Sequence, residues 1–454
     1  MDTCLIMRPA LLWGVLISIM LITIPMDNNA STPEKIPRIV VDTKKLSPFQ
    51  IGSSIGYQTK ALFPDIEQKY DAHLSTVLSQ FLFDKLQNNT IPYLLKKLDS
   101  NYQAEMKGIT ATWMISDTDK LGDGKLSLNE YTTLNLLADL GFAPNGTGFG
   151  VLSPASENNS PIIGRNMDWL SSPALRSLQA ITIYQNDDKA IANIGFAGIS
   201  SFLTGFNNQG VFLSLYSAEP DTSYQNIQLP LKNILHLSSF ELRKALEKSD
   251  TIKQTSAYLS KKHYAYSNSI LMADKKSILV LEYAKEGKIQ IRKWDSQTQS
   301  NKPWNRKFQI AVVGCHVLKK MPYNCNNIKD GYQWDKLRQL ATFSSSKKAN
   351  ERDIANIMFN TDNHLFEIFN QKTLQSLVYL PENNHLYLYT SALKTESDQA
   401  PRHTLYMDIL PTKTNSLDSE NTHLLWLVNI FLAISLAVVV WVIWHDKKTL
   451  KHNE

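Results

Sequence analysis

Cysteine is scarce in this chain of 454 residues: Cys4, Cys315 and Cys325 are too few for a disulfide scaffold and lack the paired spacing of a zinc site. A strong excess of one charge is missing too. The 47 Lys and Arg against 42 Asp and Glu leave a net charge of +5, and no basic stretch is interleaved with aromatics, so nucleic acid is not an expected partner. There is no internal repeat and no low-complexity tract. With 43% apolar, 10% aromatic and 20% charged residues, the composition excludes a collagen-like or mostly disordered protein. The chain can bury a core, and its length allows up to about three domains at roughly 150 residues each.

Long hydrophobic runs are confined to the two ends. Arg8 precedes the apolar run Ala10 to Ile24, which Pro25 and a polar stretch through Ala30 close. That is the order of a secretory signal, expected over residues 1–30. The run falls short of the ~20 residues of a bilayer span, so export is expected rather than a first transmembrane helix. Leu424 to Trp444 is uncharged, ends in aromatics and is long enough to cross a bilayer. Lys447, Lys448 and Lys451 follow it in a tail over 445–454. By the positive-inside rule the tail is cytosolic and the body lies outside the cytosol, anchored to the membrane. Residues 396–423 are polar without a clear period and read as a tether.

Between the ends, Pro64 to Leu140 is mostly helical by its three- and four-residue apolar spacing, as at Leu74, Val77, Leu78, Phe81 and Leu82. From Gly148 to Tyr216, runs such as Ala180–Tyr184 and Gly210–Tyr216 read as strands. Phe240–Ser260 is helical. Ser269–Tyr283, Lys288–Arg292 and Lys307–Val313 are strands, Asp335–Phe343 and Arg352–Phe359 helices, and Ser376–Tyr379 and Leu386–Tyr389 the last strands. Elements in blocks predict an α+β fold, with antiparallel sheets and helices stacked outside.

The most informative stretch is Asn145-Gly146-Thr147-Gly148-Phe149-Gly150-Val151, then a linker, then Ile162-Ile163-Gly164-Arg165-Asn166-Met167-Asp168-Trp169. A hairpin of these strands brings Arg165 and Asp168 beside the start of the first. The stretch resembles the opening of the choloylglycine hydrolase, penicillin V acylase and acid ceramidase group of N-terminal nucleophile amidases. Their motif is Cys-Thr-Gly and an aromatic or aliphatic residue, a loop, then Gly-Arg-Asn-(Leu or Met)-Asp-(Trp or Phe). Lys107-Gly108-Ile109-Thr110, Leu126–Glu130 and Leu134–Leu137 are similar to the helical prosegment of the ceramidase-like members. Thr204–Val211 resembles the group's Gly-x-Asn-x-x-Gly segment and Thr373–Pro381 its closing hairpin.

The resemblance implies a four-layer αββα sandwich over residues 146–395 behind a prosegment-like region over 31–145. It also implies an activity: self-cleavage frees an α-amine that serves as base, the new terminal side chain attacks an N-acyl amide of fatty or bile acid type, and water releases the acid. No cofactor is required. By motif position Asp168 holds the α-amine, Arg165 sits against the nucleophile, and Asn207 donates to the oxyanion.

Here the chain departs from the pattern. The nucleophile position is Gly146, which has no side chain. Thr147 could attack only if cleavage shifted by one residue. Cys315 stands where the group has a second oxyanion Asn, and a later Arg aligns with Gln333. Cys315 has two readings, a reactive thiol in the site or a bridge to Cys325, and an exported body favours the bridge. His316 reads as a strand residue rather than a base.

A second signal lies in Asp119–Glu130. As an EF-hand calcium loop it puts Asp119 first, Asp123 fifth, Gly124 sixth and Glu130 last, with Leu121 at the third ligand position, for which Asp117 could substitute from outside the loop. The plainer account is a capping box, Ser127-x-x-Glu130, opening a helix. Two functions therefore stand open: a membrane-anchored amide hydrolase, or an inactive relative that binds a lipid-like amide or regulates.

Overall fold

The structure, a computed structural model, describes residues 36–218, 236–296, 300–322, 324–325, 328–361, 367–390, 404–406 and 409–410. The expected signal segment, the 424–444 span and the tail lie outside the described residues. Among the described residues, no helix is long and apolar enough to cross a membrane. Contacts divide the chain into residues 1–36 and Pro37–Glu454, and the second unit carries the elements below.

The fold is mixed α+β. Its strands in chain order are β1 (Arg38–Asp42), β2 (Ile115–Ser116), β3 (Leu126–Ser127), β4 (Asn145–Val151), β5 (Ile162–Asp168), β6 (Gln179–Gln185), β7 (Ala190–Phe196) and β8 (Thr204–Asn207). Then come β9 (Phe212–Ser217), β10 (Asn268–Ala273), β11 (Ile278–Tyr283), β12 (Ile289–Arg292), β13 (Gln309–Val312), β14 (Thr373–Leu380), β15 (His385–Thr390) and β16 (Thr404–Tyr406). One sheet has eight strands in the order β1-β6-β7-β8-β9-β10-β11-β12. A second has six in the order β13-β4-β5-β14-β15-β16, and β2 and β3 form a small pair.

The two large sheets stack. Phe206 of β8 and Phe212 of β9 meet Tyr379 of β14 with ring centroids 4.6 and 5.4 Å apart. The helices Ser238–Lys248 and Ile252–Leu259 cover the far face of the eight-stranded sheet, and Glu351–Met358 packs on β5 and β14 from the other side. Strands sandwiched in this way are buried on both faces. That is why β5, β7 and β9 are buried throughout instead of alternating between water and core.

Two expectations need correction. The region over 31–145 is not wholly helical, because β1 joins the large sheet beside β6, and this pair is parallel in an otherwise antiparallel array. Its sequence RIVVD buries Ile39 and Val41 and leaves Arg38, Val40 and Asp42 exposed, the period of a strand with one covered face. The stretch expected to be a tether contains β16, paired with β15, and the buried Ile409 and Leu410.

The helices ahead of β4 belong to the body's core. Tyr131 donates to the carbonyl of Gly198 at 2.8 Å, and Trp113, Tyr131, Phe196 and Phe202 share one apolar cluster. A buried ion pair ties the region down as well. Arg243 of the Ser238–Lys248 helix donates through both terminal nitrogens to Glu105, at 2.7 Å each, and Glu105 also accepts from Ser200 at 2.8 Å and Tyr184 at 3.0 Å.

Candidate functional site

The hairpin of β4 and β5 forms as the Gly-rich sequence suggests, with Gly146 opposite Met167, Thr147 opposite Asn166 and Gly148 opposite Arg165. Side chains of paired residues share a face, and successive residues alternate. Gly148 therefore turns with Arg165 toward the eight-stranded sheet. A Cβ at Gly148 would lie 2.6 Å from Val312 Cγ1 and 3.0 Å from Leu271 Cδ2, and would overlap the Tyr216 hydroxyl, so only glycine fits. Thr147 turns the other way, with Asn166 and Phe149. Phe149 packs at 5.9 Å from Trp304 and 6.3 Å from Phe343, under the opposite layer.

Arg165 is wholly buried between the sheets. Its Nη2 donates to the carbonyl of Leu215 at 3.2 Å and its guanidinium lies 5.3 Å from the centre of the Tyr216 ring, while Nε and Nη1 have no hydrogen-bond partner. Burial pulls its pKa down, and Tyr216 and Asp168 oppose that shift. Asp168 accepts from Asn370 Nδ2 and Thr373 Oγ1, each at 2.7 Å. The hairpin thus keeps Arg165 and Asp168 three positions apart on one strand, and alternation puts them on opposite faces.

The other predicted site residues do not converge. Gly146 has a φ of +119°, and a Cβ there would overlap the Asn166 carbonyl oxygen and reach within 3.0 Å of the Asp168 nitrogen. Position 146 is therefore closed to any side chain while the hairpin keeps this backbone. Thr147 Oγ1 is buried without a partner, on the face away from Arg165. Asn207 does not donate into the space between the sheets. Its Nδ2 donates to the carbonyls of Leu246 at 3.1 Å and Ser249 at 2.7 Å, and its Oδ1 accepts from the N–H groups of Val211 and Gln209. It thus ties a turn to the outer helix, opposite Phe206. Cys315 is bonded to Cys325, so it offers no thiol. Gln333 is buried and donates to the carbonyl of Glu367 at 3.2 Å, and His316 sits between the carbonyls of Pro322 and Asn268.

Tyr216 was missed by the sequence reading. Ser214 donates to its hydroxyl at 3.2 Å and shares the strand face that Tyr216 turns toward Arg165. Polar residues at alternate positions of FLSLYS were the available signal. A cavity of about 260 Å³ lies elsewhere, lined by residues including Thr43, Tyr102, Glu105, Tyr184 and Arg243 and by none of the predicted site residues. Its charged pair is mutually satisfied.

In the loop before β4, Ser127 caps the Leu128–Leu136 helix in a capping box with Glu130. Burial, with Asp71, Asp123 and Asp119 nearby, pushes the Glu130 carboxyl up to about 7 against the Ser127 N–H, which favours its charged form. Asp71, also missed, accepts from the N–H groups of Gly122 at 2.6 Å and Gly124 at 2.7 Å.

No protein-family profile matches the chain, and no curated protein matches it. Solved structures do. The chain is similar to a Caenorhabditis elegans ortholog of N-acylethanolamine-hydrolyzing acid amidase, at 16% identity over 58% of this chain and 100% of that one, with a TM-score of 0.41. A mutant conjugated bile acid hydrolase from Clostridium perfringens follows at 13% identity, over 57% and 92%, with a TM-score of 0.35. Penicillin V acylase from Agrobacterium tumefaciens is 12% identical over 60% and 89%, with a TM-score of 0.30. Overlaps this loose decide nothing about activity.

Proposed function

We propose that this chain is built on the αββα sandwich of a linear amide hydrolase and binds an N-acyl amide without cleaving it. The observation that carries this reading is the backbone at Gly146. The position that the resemblance assigns to the nucleophile lacks a side chain and, at its φ of +119° against the Asn166 carbonyl, has no room for one. Asn207 and Cys315 are committed elsewhere, so neither the attack nor an oxyanion is served. What persists is Arg165, a buried cation with two unpartnered nitrogens, suited to the carbonyl or carboxylate of an acyl ligand. The 1–30 and 424–444 runs support export and anchoring of the body to a membrane.

A second reading has one observation in its favour. Thr147 Oγ1 is buried with nothing bound to it, and cleavage after Gly146 would make it a terminal nucleophile. One experiment separates the two. The purified full-length protein is incubated with a long-chain N-acyl amide, and intact mass, released acid and thermal stability are measured. The binding reading expects no break at residues 145–147, no released acid, and a ligand-induced rise in melting temperature that Arg165→Met removes. A chain beginning at Thr147 with acid release, both abolished by Thr147→Ala, would establish the enzyme instead. Absence of both release and thermal shift would reject both readings.

A further inference from the structure

We propose that Asp117–Glu130 is a calcium site: an EF-hand-type loop lengthened by two residues, with Asp117, Asp119, Asp123 and Glu130 as its carboxylate ligands. Counting from Asp117 and setting Lys120 and Leu121 aside places Asp119 third, Asp123 fifth, Gly124 sixth, Lys125 with its carbonyl seventh, Leu126 eighth, Ser127 ninth and Glu130 twelfth. Every position of that loop type is then filled by a suitable residue. The start at Asp119 leaves Leu121, an apolar side chain, in a ligand's place. Leu121 packs against the apolar core, and its N–H donates to Gln80 Oε1 at 3.0 Å, so it is held outside the loop's interior.

The rigid half of such a site is in place. Gly124 has a φ of +80°, as the sharp turn at the sixth position requires, and Leu126 is fully buried, anchoring the eighth. Glu130 is held on the first turn of its helix by the N–H of Ser127, which donates to Oε2 at 2.7 Å. Its other oxygen, Oε1, is buried and has no hydrogen-bond partner. Leaving a carboxylate oxygen dry and unpaired is costly, and a hard cation removes that cost.

Charge leads to the same place. Among the described residues, no Lys, Arg or His forms an ion pair with Asp71, Asp117, Asp119, Asp123 or Glu130, although other carboxylates of the body have such partners, as Glu105 has Arg243. The other half is open. Among the described residues, no three carboxylates converge on one point. Asp119 is turned aside to accept from Asn129 Nδ2 at 2.7 Å, and Asp117 and Asp119 are exposed. Calcium, which accepts six to eight oxygens in loose geometry, draws these side chains in. Magnesium, which demands a tight octahedron, does not.

The test is titration of the chelator-treated full-length protein with calcium chloride, followed by calorimetry and melting temperature. Calcium should bind with a dissociation constant of about 10⁻⁴ M or tighter and raise the melting temperature by several degrees, with magnesium far less effective. Asp119→Ala alters an exposed side chain and leaves the helix cap intact; it should weaken binding at least ~10-fold. Glu130→Gln should abolish binding while the protein stays folded through the retained Ser127 cap. No heat and no melting shift at ~10 mM calcium, well above the weakest sites of this type, would overturn the proposal. Unchanged affinity in Asp119→Ala would overturn it equally.

Discussion

At Gly146 the missing side chain goes together with a backbone that admits none. An L-residue there would need a different backbone, because φ is +119° and the neighbouring strand occupies the Cβ position. Placing a thiol there should therefore not create amide-cleaving chemistry. Gly146→Cys is expected to release no acid from an N-acyl amide and to lose about 3 kcal/mol of stability, from backbone strain plus overlap. Urea unfolding monitored beside the acid-release assay checks both, and a stable, active variant would refute the account. The residue scale also shows how far chemical type can be read without coordinates. Arg165 and Asp168 were legible as a pair from their motif. That they occupy opposite faces follows from their odd spacing along a strand and needed only the alternation rule.

Among the elements, the β13 to Ile328–Leu340 connection depends on its cross-link. Cys315 and Cys325, ten apart in sequence, close a loop over the end of β13, and both lie in the apolar cluster that holds Trp304 and Trp334. Replacing both cysteines with serine should cost about 2–3 kcal/mol from loop-closure entropy alone. A lowered urea midpoint, with the slope steepening slightly as the unfolded chain expands, is the expected result, and no shift would mean that the loop is ordered without the bond. Element types were largely legible because the apolar period switches between helix and strand along the chain. Boundaries were less so. The long strand expected over Ser269–Tyr283 divides at Asp274, whose carboxylate accepts from the N–H groups of Lys276 and Ser277 at 2.9 Å, and the helix over Phe240–Ser260 breaks where Thr251 caps a second one. Both breaks come from short polar side chains competing for backbone N–H groups, a local signal that the apolar period overrides.

For the molecule as a whole, the helices ahead of β4 are welded to the sheets, and one buried histidine makes that junction sensitive to acid. His73 lies on the Ile66–Val77 helix with Nδ1 3.0 Å from Ser172 Oγ and Nε2 without a partner, and burial lowers its pKa from 6.5 to about 4. The unfolded chain takes up this proton first, so the native state is fully favoured above the ordinary histidine range and loses stability as pH falls toward 4. The loss over that window is about 3 kcal/mol. Melting temperature measured from pH 7 to pH 4.5 should drop more steeply for the native sequence than for His73→Gln. Parallel curves would show that His73 is not the sensor.

Composition, the apolar period and one bipartite motif were enough to determine an α+β body with antiparallel strands and an Arg165–Asp168 hairpin. These are properties of neighbours in the chain, and local sterics and alternation enforce them. The fates of Thr147, Asn207 and Cys315, the addition of β1 beside β6, and the lack of a hydrogen-bond partner at Glu130 Oε1 were settled only in three dimensions. They depend on how segments apart in sequence pack together, and burial makes that packing decisive because a polar group it leaves unpaired has no water to fall back on.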